Sequence, residues 1–101
     1  MKMNNMMKQA QKMQSQMMQI QEKLAEETVE GASGGGMVKV TTTGQGNIVE
    51  IKIDPEVIKP EDAEILEDLV LVAVNDSIEK SRELANSRMG MFTNALSSLG
   101  L

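Results

Sequence analysis

The chain has 101 residues, of which 41% are hydrophobic and 25% are charged, and its formal net charge is −5. This length and composition are typical of one globular domain whose modest core favours self-association. The chain contains no Cys, no His and one aromatic residue, Phe92. That composition excludes disulfides, thiolate or imidazole chemistry, and the stacking of nucleic-acid bases on aromatic side chains.

The sequence shows no secretory or membrane segment. Its longest apolar run, from Leu69 to Val74, is far shorter than the roughly 20 residues that span a bilayer. Asn and Gln interrupt the apolar residues at the N-terminus, where a signal peptide would need a continuous run. We therefore expect a soluble, cytoplasmic protein with no membrane partner.

The first segment has the apolar periodicity of an amphipathic helix. Its apolar residues are separated alternately by three and four positions: Met3, Met6, Ala10, Met13, Met17, Ile20 and Leu24. This spacing predicts a helix from about Met3 to Glu27 with a narrow apolar stripe, which suits contact with one other helix. Two interpretations remain open: the Met side chains fill a core, or they form an adaptable seam on a projecting helix.

The next segment predicts three antiparallel strands. β-branched and polar residues alternate over Met37–Thr43 and again over Ile48–Asp54, and Gly44–Asn47 has the composition of a turn. In the second of these strands the alternation groups Val49, Ile51 and Ile53 on one face. A shorter strand over about residues 28–32, followed by a Gly-rich turn, would complete a meander with one apolar face.

A second helix is predicted to begin at Pro60. Acidic residues fill its first turns, where the helix dipole favours them: Glu61, Asp62, Glu64, Glu67 and Asp68. The residues that follow are apolar nearly all round, more than one small sheet can cover. We expect this helix to run to about Arg88, to cover the sheet, and to contact a second protomer through Leu66, Leu69, Val70, Val72 and Ala73.

These elements define an α+β protein: a long N-terminal helix, a three-stranded antiparallel meander, and a long C-terminal helix packed on the sheet, in a homodimer. We expect a single domain over residues 1–101. Within it, residues 1–27 would form a projecting helix, residues 28–88 the α/β dimer core, and residues 89–101 a flexible or short-helical tail.

Two segments resemble catalytic motifs but lack their context. The run "GASGGG" has no Gly-Lys-Ser/Thr and precedes a strand, so it is better interpreted as a structural turn than as a phosphate loop. The carboxylates over residues 61–68 have no convergent His and are better interpreted as a solvated helix start. We therefore expect no enzymatic activity, no metal site and no cofactor.

Charge is more informative when it is divided by segment. The first twenty residues carry Lys2, Lys8 and Lys12 and no acid. In the heptad frame Lys8 and Lys12 lie away from the apolar stripe, as i, i+4 neighbours that can reach one partner together. Duplex DNA is bound mainly through phosphate contacts, which need no aromatic residues. The charge alone leaves two interpretations open, since these lysines would also serve simply as solubilising residues.

Four stretches together resemble the YbaB/EbfC family of bacterial nucleoid-associated proteins: "MKQAQKMQ" (7–14), "GGGMVKV" (34–40), "EIKIDPEV" (50–57) and "EILEDLVLVAVNDSIEKS" (64–81). They occur in the family's order and spacing. The resemblance implies a small cytoplasmic, nucleoid-associated homodimer without catalytic activity. It also implies that duplex DNA binds along the projecting first helices and part of the last helix, with an influence on nucleoid organisation and gene expression.

Carried over residue by residue, the resemblance implies DNA contacts at Lys8, Gln9, Gln11, Lys12 and Lys80, with Arg82 as a neighbour. Two further basic residues, Lys2 and Arg88, are added as phosphate contacts. About four to six such contacts per dimer would give a log–log salt slope near −4 to −5. The competing interpretation is a protein-interaction module, in which the Met seam binds a helix of another protein, such as a DNA-repair or replication protein.

Overall fold

Two helices flank a three-stranded sheet in the computed structural model, which describes residues 2–98. The elements are α1 (Lys2–Glu26), β1 (Thr28–Ser33), β2 (Val38–Thr43), β3 (Ile48–Ile53) and α2 (Ala63–Ser98). The sheet is antiparallel in the order β1-β2-β3. The predicted α+β arrangement is confirmed, and the chain extends over 72 × 19 × 15 Å.

Helix α1 is attached to the rest of the chain by its last turns. It has 25 residues, which corresponds to a length of about 37 Å. Among its described side chains only Leu24 is buried, against the turn that joins β2 and β3. The backbone amide of Gly44 donates to the carbonyl oxygens of Leu24 and Glu27, each at 2.9 Å. Most of α1 therefore extends beyond the sheet.

The core lies between α2 and the first two strands. Val38, Val40 and Ala73 are fully buried, and partly buried apolar side chains surround them: Ile53, Leu66, Leu69, Val70 and Val74. Gly31 permits this close packing, because a Cβ atom there would lie 2.3 Å from the backbone nitrogen of Ser77. A hydrogen bond of 2.8 Å between the hydroxyl groups of Thr42 and Ser77 adds to the contact.

This packing changes the role of the residues that the sequence assigned to a dimer interface. Ala73 is fully buried in the protomer's own core, and Leu66, Leu69 and Val70 pack against that core. Of the five residues, only Val72 is mainly exposed, at 56%. The reason is the close approach at Gly31, which turns the smallest face of α2 towards its own sheet. Ala73 is therefore unavailable to a second protomer.

Strand β3 is left open. A bulge between Thr41 and Thr42 pairs Thr42 with Ile48. Ile48 therefore lies on the same face of the sheet as Ile51 and Ile53, which is the face on which α2 packs over β1 and β2. The predicted grouping of Val49 with these two residues was wrong, because simple alternation does not anticipate a bulge. Ile48 and Ile51 remain 43% and 46% exposed. The open edge and its apolar side chains are consequently available for association.

Helix α2 is also longer than the sequence suggested. It continues to Ser98 rather than ending near Arg88, so most of the predicted flexible or short-helical tail is one continuous helix. No Pro follows Pro60, and a single interior glycine, Gly90, destabilises a helix by only about 1 kcal/mol. The last predicted tail residues, 99–101, lie outside the described residues.

Candidate nucleic-acid interface

Helix α1 presents an exposed basic and amide face. Lys8 and Lys12 are exposed, as are Gln9 and Gln11 beside them. Lys8 and Lys12 are one helical turn apart, about 6 Å along the axis. No ion pair or hydrogen bond engages either ammonium group within residues 2–98. Lys2 belongs to the same helix, but its side chain lies outside the described residues.

The apolar stripe of α1 is covered progressively less towards the N-terminus. Leu24 is buried, and Ile20 and Met13 are half-buried. Met17 is 42% exposed, and the exposure rises to 68% at Met6 and 76% at Met3. Leu24, Ile20 and Met13 are therefore at least partly covered within the protomer, whereas Met17 and the first turns of the stripe are exposed.

Lys80, a predicted DNA contact, is engaged with the sheet. Its ammonium group lies 3.2 Å from the Asp76 carboxylate and donates to the carbonyl oxygen of Glu30 at 3.1 Å. Asp76 in turn accepts a hydrogen bond of 3.0 Å from the backbone amide of Ala32. The hydrogen bond from the Ala32 amide lowers the pKa of Asp76 below its ordinary value, and the hydrogen bond from Lys80 lowers it further by a smaller amount. These two side chains satisfy backbone groups on the outer edge of β1, and a sequence pattern gives no sign of this.

Arg88, another predicted DNA contact, forms a two-pronged ion pair with Glu27. Its Nε donates to Glu27 Oε2 at 3.1 Å, and its Nη2 donates to Oε1. The bond from Arg88 lowers the pKa of Glu27, and the same bond raises the pKa of Arg88. Because a carboxylate with a lowered pKa stays ionised until the pH falls through that pKa, the ion pair is retained at neutral pH and lost only in acid.

The predicted DNA-binding residues thus fall into two groups. Lys8, Gln9, Gln11 and Lys12 are exposed on α1, and Arg82 is exposed on α2. Lys80 and Arg88 are committed to contacts within the protomer. Among these predicted residues, the available positive charge therefore lies mainly on α1.

The charges are separated along the molecule. The Ser33 hydroxyl at the end of β1 donates to the carbonyl oxygen of Leu69, so the acidic start of α2 lies near that end of the strand. Helix α1 joins the other end of β1, at Thr28. The acidic start of α2 and the acid-free start of α1 therefore belong to opposite ends of β1. Such polarity directs a polyanion to the basic end.

Within residues 2–98, no group of acidic side chains is arranged to hold a metal ion. No helix in that range has the length and apolar character that crossing a membrane requires. A groove of about 690 Å³ lies between α1 and α2, and its lining includes Ile20, Lys23, Glu27, Arg88 and Met91.

An elongated α+β protein whose first helix presents exposed lysines and carries no acid over residues 2–20 has the architecture of a nucleic-acid-binding protein. The profile of the YbaB/EbfC DNA-binding family matches residues 1–96. The chain belongs to the YbaB/EbfC family.

Relatives and solved structures agree with this assignment. Proteins named nucleoid-associated protein from Bacillus thuringiensis (strain Al Hakam) and Bacillus anthracis (strain A0248) are each 55% identical to the chain over 98 residues. Those alignments cover 97% of this chain and 90% of each relative. The crystal structure of an uncharacterized protein from Helicobacter pylori superposes with a TM-score of 0.78 at 28% identity, covering 95% of this chain and 98% of that one.

Proposed function

We propose that this protein is a non-enzymatic, nucleoid-associated protein of the cytoplasm that binds duplex DNA as a homodimer. It influences nucleoid organisation and gene expression through that binding. The observation that carries the proposal is the exposed basic face on the first part of α1, which carries no acid before Glu22 and on which Lys8 and Lys12 have no partner within residues 2–98. Membership of a DNA-binding family and the names of the relatives support it.

Binding proceeds by neutralisation of phosphate charge. Lys8 and Lys12 lie one turn apart on a rigid helix, and the dimer doubles them. Gln9 and Gln11 lie beside them and supply amide donors for phosphate or base edges. Arg82 provides a further exposed cation on α2. Because most of these contacts are with phosphate and release counterions from the DNA, the affinity falls steeply as the salt concentration rises.

Titration of a fluorescently labelled duplex with protein of known mass tests DNA binding directly. At low salt, about 50 mM, we expect saturable binding. The absence of any binding under those conditions would contradict the proposal. The same titration with ATP or a divalent cation added should leave the curve unchanged, and a requirement for either would point to a different kind of function.

A homodimer is supported by the contrast between the two edges of the sheet. Asp76 and Lys80 satisfy outward-facing backbone groups of β1, which closes that edge. The β3 edge carries no such cover, and Ile48 and Ile51 are exposed beside it. Exposed apolar side chains also occur on α2, at Ile65, Leu71 and Val72. A second copy that adds its own β3 edge would cover both kinds of surface in one symmetric contact.

Replacing Ile51 with Glu should convert the dimer to a monomer, because a carboxylate would be buried in the apolar centre of the contact. Light scattering during size-exclusion chromatography should give a mass close to the 11.0 kDa of one chain. Lys52→Glu, on the opposite face of the same strand, is the matched control and should remain dimeric. A dimeric Ile51→Glu variant, or a monomeric parent protein at tens of micromolar, would count against this interface.

The competing protein-interaction module is less well supported. In the apolar stripe of α1, Leu24 is buried and Ile20 and Met13 are half-buried within the protomer. Met3 and Met6 are its most exposed members. A DNA-repair or replication partner therefore remains a prediction from the sequence. Met3→Ser with Met6→Ser would remove the exposed part of the stripe and should leave DNA binding intact.

A further inference from the structure

The junction between α1 and the sheet is a single residue. Helix α1 ends at Glu26 and β1 begins at Thr28, so Glu27 alone joins them. The direction in which α1 leaves the sheet is therefore decided by the contacts of Glu27 and of the last turns of the helix. Those contacts lie on two sides.

On the first side, the β2–β3 turn holds the last turns of α1. The Gly44 amide donates to Leu24 and Glu27, each at 2.9 Å, and the Gln45 side chain donates to the Gln21 carbonyl oxygen at 2.9 Å. On the second side, the Glu27 carboxylate accepts two hydrogen bonds from Arg88 of α2. Two attachments on different sides fix a direction, whereas one attachment leaves a hinge.

Packing alone does not hold the helices together at this level. The groove of about 690 Å³ separates α1 from α2 beside the ion pair, and it is lined by polar as well as apolar side chains. Further back along α2, the Ser81 hydroxyl donates to the Thr43 carbonyl oxygen of the sheet, at 2.7 Å. Arg88 lies two turns beyond it, on the part of α2 that extends past the sheet.

We propose that the ion pair between Glu27 and Arg88 sets the angle of α1, and that both are positioning residues for the DNA-binding face of α1. This inference rests on the proposed function of α1. A small change in the angle of α1 displaces Lys8 by a large distance, because Lys8 lies about 27 Å from the junction at 1.5 Å per residue. A swing of about 15° would move Lys8 by about 7 Å, which is roughly twice the 3.4 Å axial rise between neighbouring phosphates of one DNA strand.

For Glu27→Gln, a positioning role and a simple charge effect predict opposite changes in DNA affinity. Glu27→Gln removes a negative charge, so electrostatics alone would strengthen DNA binding. If the ion pair positions α1, the same substitution should weaken binding by roughly threefold to tenfold, equivalent to one or two misplaced phosphate contacts. Arg88→Glu should weaken it as well, and the double variant Glu27→Arg with Arg88→Glu should restore affinity to within about twofold of the parent.

The angle itself can be measured without DNA. The chain has no Cys, so Ser15→Cys on α1 and Lys39→Cys on β2 allow two spin labels to be placed. Labelled protein diluted into unlabelled protein reports the distance within one protomer. We expect a narrow distance distribution in the parent and in the charge-swapped variant, and a broad one in Glu27→Gln and Arg88→Gln. Circular dichroism checks that each variant is folded.

The two readouts separate the possible failures. An unchanged distance distribution in Glu27→Gln would overturn the inference, as would stronger DNA binding by that variant. A loss of binding on Arg88→Glu that the swap does not restore would instead assign Arg88 to direct contact with DNA, which also overturns it. Broadened distances in a protein whose parent form does not bind DNA would support the positioning role and contradict the proposed function.

Discussion

Reversing the charge of Lys8 and Lys12 together should lower the affinity for duplex DNA by about 100-fold or more at 100 mM salt. Both side chains are exposed on the first part of α1, and neither has an ion-pair or hydrogen-bond partner within residues 2–98. The dimer presents them twice, so the substitution replaces four attractive charges with four repulsive ones. Fluorescence anisotropy with a labelled duplex measures the change.

The matched control is Lys39→Glu with Lys59→Glu. Both residues are exposed, and both lie outside the helices. This pair changes the net charge by the same amount but should lower the affinity by no more than about tenfold, through the long-range field alone. Equal losses in the two variants would show that net charge, rather than the α1 face, determines binding.

Gly31→Ala should destabilise the folded protein by about 2–4 kcal/mol, because a methyl group there meets main-chain atoms that cannot move separately. A Cβ atom would lie 2.3 Å from the Ser77 nitrogen and 2.5 Å from the Ala73 carbonyl oxygen. Helix α2 would have to shift away from the sheet as a unit. Against a total stability of about 5–15 kcal/mol, the change is large, and urea denaturation at fixed protein concentration measures it.

Gly90→Ala provides the control for this prediction. Gly90 lies within α2, and apart from its chain neighbours and the adjacent backbone of the helix no atom stands within 4 Å of the position its Cβ would occupy. Alanine favours the helix over glycine by about 0.5–1 kcal/mol, so this substitution should stabilise the protein slightly. If Gly31→Ala were tolerated as well as Gly90→Ala, the close approach of α2 to β1 would not exist in solution.

The sequence predicted the elements because each has a strong local signal. The three-four spacing of apolar residues marked α1, and the β-branched alternation around a Gly-rich turn marked the hairpin. The limits of α2 were less predictable, since the residues after Arg88 have only weak periodicity and a glycine. Whether such a segment continues a helix depends on tertiary contacts, here including the ion pair between Arg88 and Glu27.

The candidate site was predicted only in part, for a related reason. Lys8 and Lys12 were identified from their spacing within one helix, which is local information. Lys80 has one partner close in sequence, Asp76 at i−4, but its bond to the Glu30 carbonyl oxygen and the pairing of Arg88 with Glu27 join residues that are distant in sequence. The core role of Ala73 depends in the same way on Gly31. Charge patterns along a chain cannot reveal which cations are already paired across the fold.

The salt dependence of DNA binding tests the central claim most directly, because its slope reports the number of phosphate contacts, which a single affinity does not. For the parent protein we expect a log–log slope near −4 to −5, reflecting the paired α1 faces of the dimer together with Arg82. In the variant with Lys8→Glu and Lys12→Glu, the slope should move towards zero by about 3 to 4. An affinity that does not depend on salt, or a slope that the variant shares with the parent protein, would contradict the account.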